Sequence, residues 1–240
     1  WPAFKQMHPR WMAEFNEETG LPRRAYGDPI STWGGDAVER ARLFLATELA
    51  AYRLPIHQLE VQQASKGGKL TYVHFTQQHE GLPVLGAKAM VKFDDQYRVL
   101  AFSADLATDI TVPLVPTLAP EVAAANASDG LADITGHEVR ELAVLPVPTQ
   151  GRNVFHLVQR IIVHTRKGDT PGRFNCLVDA HSGALLYRTN EVLSCGHGEV
   201  DEGVVMTLTS LAYAGSPLYA PEALAMPNMN ISINSTIVRT

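Results

Sequence analysis

Apolar positions along this chain switch between two periods, and the switches mark its elements. In residues 36–53, Val38, Ala41, Leu45, Leu49 and Tyr52 recur three or four apart while Glu39, Arg40, Arg42 and Glu48 take other positions. That spacing lines one face of an α-helix. Asp36, followed three residues later by Glu39, makes a capping-box-like start, and Pro55 stops the helix. The period then falls to two. Leu59 and Val61 open a first strand, Val73 and Phe75 alternate with Tyr72, His74 and Thr76, and Ala87, Ala89, Val91 and Phe93 alternate with Lys88, Met90 and Lys92. Residues 99–102 supply a last strand. Such alternation belongs to strands with one buried face. The short links Glu80-Gly81-Leu82-Pro83 and Asp94-Asp95-Gln96-Tyr97 predict antiparallel hairpins, since parallel crossovers need more chain.

The pattern then repeats in outline. Two prolines loosen residues 109–116, where a domain boundary is expected. Pro120-Glu121 opens an Ala-rich helix ending near Gly130, with its acidic residue at the positive end of the helix dipole. Strands are predicted at 141–145, 154–164, 174–179 and 184–192. Ahead of the first helix, residues 1–35 are rich in Trp, Pro, Gly and charge, which predicts an arm or irregular edge. Beyond 193, Val204-Val205-Met206-Thr207-Leu208 and Met229-Asn230-Ile231-Ser232-Ile233 flank three prolines and predict short strands in irregular chain. The expected fold is α+β: two modules, each a helix on an antiparallel sheet, then a β-rich irregular tail.

Composition narrows the function classes. The 240 residues are 45% hydrophobic and carry a net charge of −5, which gives no reason to expect nucleic acid. No apolar run approaches the roughly 20 residues of a membrane helix. The chain opens at Trp1 with neither an initiator Met nor a signal peptide, the expectation for a mature or trimmed fragment. Cys176 and Cys195 are too few for a disulfide framework, and one bridge or two free thiols are both open. The triplets at Asn126, Asn230 and Asn234 fit glycosylation acceptors, a pattern that also arises by chance.

Catalytic chemistry finds little support. A zincin helix needs His-Glu-x-x-His, so that two imidazoles on one face hold zinc while the Glu activates water. None of the nine histidines stands in that pattern: His137-Glu138 lacks the second His, and His79-Glu80 runs into the Gly-Leu-Pro turn. Cys195-Gly196-His197 offers two ligands without a nearby third and reads as a Gly-flanked connector, and Ser194-Cys195 has no oxyanion context. His74, His156 and His164 lie on predicted strands, where packing or surface roles are commoner than ligation. Arg23-Arg24 and Arg166-Lys167 read as solvated pairs, the former also as a processing signal.

Residues 37–106 resemble the fungalysin/thermolysin propeptide (FTP) domain, through His74-Phe75, Gln77-Gln78, Gly81-Leu82-Pro83-Val84 and Gly86-Ala87. The second unit resembles the PepSY module that follows it in peptidase precursors, through Leu177-Val178-Asp179-Ala180 and the turn His181-Ser182-Gly183. Phe15-Asn16 and Thr19 to Gly27 resemble the segment leading into such prodomains. In one departure, the family often has Gly in the hairpin after Phe93, and residues 94–97 have none.

The resemblance implies cystatin-like modules over 36–108 and 117–193, an arm over 1–35, and a connector or the start of a catalytic region over 194–240. It implies a prodomain of a secreted zinc metallopeptidase, acting as intramolecular chaperone and latency inhibitor until proteolysis removes it. The alternative is a stand-alone secreted binding or inhibitor module. On this reading the chain is not itself an enzyme and has no catalytic, cofactor or metal residues. Zinc belongs to a linked or cognate catalytic domain, the expected partner, with neither nucleic acid nor membrane involved. His74, Phe75, Gln77, Gln78, Gly81, Pro83, Val84, Gly86, Asp179 and Gly183 are then structural or interface residues.

Overall fold

A computed structural model describes residues 1–149 and 152–192. The predicted connector beyond Val192, with Cys195, His197, Asn230 and Asn234, lies outside the described residues.

The first helix forms where its spacing predicts, as α2 (Ala37–Glu48) followed by a 3-10 turn at Ala50–Tyr52. Asp36 caps it by accepting the Glu39 N–H at 2.9 Å, and Glu39 reaches back to the Gly35 N–H at 2.7 Å. Ala41, Phe44, Leu45 and Leu49 are buried against β3 (Leu59–Gly67), β4 (Leu70–His79), β5 (Leu82–Phe93) and β6 (Arg98–Asp105). Val73, Phe75, Ala89, Val91, Phe93, Val99 and Phe102 supply the sheet's side of this core.

The N-terminal 35 residues, expected as an arm or an irregular edge, contain regular elements. They hold α1 (Pro2–Met7), β1 (Met12–Phe15) and β2 (Pro22–Ser31), and β2 pairs antiparallel with β6. The sheet order on this side is therefore β1-β2-β6-β5-β4-β3. Phe4, Trp11, Leu21, Ala25 and Ile30 are core residues, and Trp11 stacks on Phe102 with ring centroids 5.5 Å apart. The apparent turn formers have other work. Pro22 opens a strand, a position where its missing N–H is tolerated. Gly27 makes room for Trp11, since a Cβ there would lie 2.5 Å from the indole.

The second half contains α3 (Pro120–Ser128) against β7 (Ile134–Thr149), β8 (Arg152–Lys167), β9 (Thr170–Asp179) and β10 (Leu185–Asn190). Ala123, Ala124 and Ala127 sit on Ile161, Val163, Cys176 and Val178, small helix residues on mostly β-branched strand residues. Strand β7 runs past both predicted ends. Residues 134–140, in which Ile134 and Val139 are exposed among mostly polar neighbours, are extended through pairing with β8. Pro146 and Pro148 are tolerated beyond Val144, where β8 is the strand's one partner among the described residues.

The two helix-backed halves share one ten-stranded mixed sheet. The joint is a parallel contact between β5 and β7 at Val84 and Val144. Around it, Val84, Ala87, Ala107 and Val144 form a small core, over which residues 109–116 lay Ile110, Val112 and Leu114. Within the segment expected to be a boundary, every second residue from Ile110 to Leu114 is thus packed on this core, while Val115 and Pro116 are exposed.

Candidate interaction surface

The motif residues gather at the β4–β5 hairpin and at the turn after β9. Phe75 is fully buried between Val61 and Ala89, with the Arg42 guanidinium 5.1 Å from its ring centre. His74 points the other way by strand alternation. It is half-buried and stacks on Tyr72 at 6.4 Å, and the Lys92 ammonium lies 5.6 Å from the Tyr72 ring centre.

Gln77 continues the inward parity of Val73 and Phe75 and is completely buried. Both amide hydrogens and the amide oxygen are engaged: Nε2 donates to Gln58 Oε1 and to the Ala107 carbonyl, both at 2.8 Å, and Oε1 accepts the Ala107 N–H at 2.9 Å. Gln78 faces outward and donates to Glu60 Oε2 at 2.6 Å. The hairpin closes at Glu80-Gly81, with φ of 49° and 83° between the paired residues His79 and Leu82. That is the primed turn a two-residue hairpin favours, so Pro83 lies in the strand and not in the turn.

Gly86, at φ 80°, shows why the motif continues past the turn. Thr76 pairs with Lys88 and Gln78 with Pro83, so four residues, 84–87, stand opposite Gln77 alone. The bulge releases β5 from β4 and frees Val84 to pair with Val144 of the second half.

Asp179 is a second hub. Its Oδ1 accepts the N–H groups of His181 at 2.9 Å and Ser182 at 2.7 Å, and its Oδ2 lies 2.7 Å from His156 Nδ1. Burial works to raise its pKa, but the Ser182 N–H, the His156 ring and the His181 N–H outweigh it and hold the carboxyl below its ordinary range. Gly183 has φ 77°, and a Cβ there would lie 2.6 Å from Asn126 Nδ2. Asn126 donates to the Gly183 carbonyl at 2.9 Å, so the first glycosylation triplet holds a side chain already engaged inside the fold.

Sequence reasoning did not identify the partners of these motif residues: Gln58 and Ala107 for Gln77, Asn126 for Gly183 and His156 for Asp179. A signal existed for Gln77, a polar residue at a core parity, but none for the chain segments it binds. The Gly-less hairpin at residues 94–97 also resolves. Tyr97 takes the left-handed conformation at φ 55°. The Asp94 carboxylate accepts the Gln96 and Arg98 N–H groups, each at 2.9 Å, and pairs with the Arg98 guanidinium at 2.7 Å.

The side of the first-half sheet turned away from α2 carries Tyr72 and His74 on β4, Lys88, Met90 and Lys92 on β5, Ala101 and Ser103 on β6, and Tyr26 on β2. All are exposed or half-buried. One cross-strand row runs Met12, Tyr26, Ala101, Lys92, Tyr72, Ser65. It places two tyrosines and a lysine around a small central residue. Cys176 is a buried free thiol whose pKa burial pushes up, against the lowering effect of Arg188. Among the described residues, no group of three or more His, Cys, Asp or Glu side chains could hold a metal ion, and no helix is long and apolar enough to cross a membrane.

The family model described as Fungalysin/Thermolysin Propeptide Motif matches residues 59–106, the span of β3 to β6 with its Gln77 hub and Gly81 turn. This region is of the fungalysin/thermolysin propeptide type, a non-catalytic motif of metallopeptidase precursors. Among solved structures, the Bacillus megaterium YpeB C-terminal domain is similar at 16% identity and a TM-score of 0.36, over 71% of this chain and 72% of that one. No curated protein matches the chain.

Proposed function

We propose that this chain is the prodomain of a secreted thermolysin- or fungalysin-type zinc metallopeptidase, serving as a folding template and as a latency inhibitor until proteolysis removes it. The match of residues 59–106 to the propeptide motif carries the reading. The second half is its PepSY-like module. The partner is the catalytic domain of the same precursor, and zinc resides there.

The arrangement of side chains supports this function without any chemistry in the chain. Phe75, Gln77, Gly81, Val84, Gly86, Asp179 and Gly183 serve the fold, while Tyr26, Tyr72, His74, Met90 and Lys92 stand on the sheet's other side. Inhibition by a prodomain requires buried area and shape complementarity, not a reactive group. A preformed sheet face offers both, at low ordering cost because its strands are already paired. Tyr residues suit such a contact, since each brings a large area with few rotatable bonds.

The test is inhibition in trans. The whole chain is added to the separately prepared catalytic domain and peptidase activity is followed, together with the yield of activity on refolding with and without the chain. Inhibition at micromolar concentration or below and a raised refolding yield are expected. The absence of both at tens of micromolar overturns the proposal. The test needs residues 1–35 as well as the two modules, because Trp11, Leu21 and Ala25 belong to the first core.

A further inference from the structure

We infer that residues 107–118 form a strap, locked at one end by Gln77 and at the other by the Asp179–Gly183 turn, that holds the two halves of the sheet as one rigid body. The two sequence motifs, about a hundred residues apart, thereby serve one joint.

At its start the strap is held by Gln77, which bonds both backbone groups of Ala107. In its middle, Ile110, Val112 and Leu114 are half-buried on Val84, Ala87, Ala107 and Val144, while the alternate residues Asp109, Thr111, Pro113 and Val115 are exposed. This period of two, outside any strand, matches an extended segment laid on a surface. Pro113 and Pro116 hold their own φ and bias Val112 and Val115 to extended backbone.

At its far end the strap meets the turn after β9. The N–H groups of Thr117 and Leu118 both donate to the Ala180 carbonyl at 3.1 Å. Thr117 Oγ1 donates to the His181 carbonyl at 3.0 Å, and His181 Nε2 lies 3.0 Å from the Pro113 carbonyl. Asp179 fixes the turn that presents these groups, by accepting the His181 and Ser182 N–H groups. The strap covers the single parallel contact of β5 with β7, and the bulge at Gly86 is what brings β5 to that contact. One strand pair would leave a hinge. A strap tied on both sides of the pair and packed across it removes the freedom to bend.

A rigid joint means that the two halves offer their partner one continuous surface and not two modules docking independently. This consequence for the partner rests on the propeptide reading; the rigidity itself does not.

The experiment uses the full chain and no peptidase. Residual dipolar couplings are measured for both halves, with amide hydrogen exchange at Ala107, Thr117 and Leu118. In the native chain one alignment tensor should fit both halves, and the three amides should exchange at least tenfold more slowly than exposed strap amides such as Thr111. Two variants loosen the strap at different places: Thr117→Val with His181→Ala at the turn, and Val112→Ser with Leu114→Ser in the middle. Each should need two tensors, with the amide shifts inside each half preserved and exchange at Thr117 and Leu118 at least tenfold faster. A native chain that needs two tensors overturns the inference, as do folded variants that match the native chain. If one variant fails to fold, the other decides. A chain that passes here and does not inhibit a peptidase overturns the propeptide reading alone.

Discussion

The Gln77 side chain and the Ala107 backbone form a closed pair of hydrogen bonds, with Nε2 donating to the carbonyl at 2.8 Å and the amide donating to Oε1 at 2.9 Å. A side-chain amide here does what a neighbouring strand would do for a residue just past the end of β6. Replacing it with Leu keeps the volume near but leaves the Ala107 N–H and C=O buried without partners. At about 1–3 kcal/mol for each unsatisfied group, the two groups together should lower stability by about 2–6 kcal/mol in urea unfolding of Gln77→Leu. A loss below about 0.5 kcal/mol would show that water replaces the amide freely.

Gly81 and Gly183 both take positive φ, at 83° and 77°, but differ in surroundings. A Cβ on Gly81 meets nothing within 4 Å, whereas one on Gly183 meets Asn126 Nδ2 at 2.6 Å and Leu118 Cδ1 at 3.1 Å. Gly81→Ala should therefore cost only the left-handed backbone term of about 1–2 kcal/mol. Gly183→Ala should cost clearly more and should also displace Asn126. Equal losses in thermal or urea melts would contradict the close approach.

Acid should weaken the Asp179 hub. Its folded pKa is lowered, so its contribution to stability is complete above the unfolded value near 3.9 and is lost as pH falls through the folded value. Asp179→Asn should be less stable than the native chain at pH 6, with the difference shrinking below about pH 4. A difference independent of pH between 2 and 6 would mean that the carboxylate charge has no part in the turn.

Asp105 has the opposite sign. Burial raises its pKa, only partly countered by the hydrogen bond from Asn16 at 2.8 Å and the charge of Arg23. Its ionised form therefore costs stability at neutral pH, a cost that disappears as the group protonates in acid. Asp105→Asn, which still accepts from Asn16, should be more stable than the native chain at pH 7 and lose that advantage toward pH 3. Denaturant midpoints across this range decide the matter.

Deleting residues 1–31 should unfold the first half, since the deletion removes β2 from beside β6 and takes Trp11, 1% exposed, out of the core. Trp11→Ala alone should cost about 3–5 kcal/mol. Retained amide dispersion for β3 to β6 in the truncated chain would return this segment to the role of an arm.

Local periodicity was enough to read α2 and the strands β4 to β6, because each buries one face and leaves the other in water, so the pattern is written in every turn or pair of residues; α3 was legible from its Pro-Glu start and Ala-rich composition. The hairpin at Gly81 and the capping by Asp36 were legible for the same reason: their partners are within a few residues. The α+β class and the propeptide resemblance both rest on such local signals. Beyond them the tertiary structure decided. Pro22 and Gly27 look like loop residues until β6 and Trp11 are set beside them, and residues 134–140 carry no strand pattern because they are exposed and are held extended by β8. Gln77 and Asp179 could be located in the sequence but not assigned a partner. The groups they bind, Ala107 thirty residues on and the His156 ring twenty-three residues back, come within hydrogen-bonding distance only when the sheet is assembled. Periodicity records which way a residue faces, and what it meets there depends on chain far away in sequence.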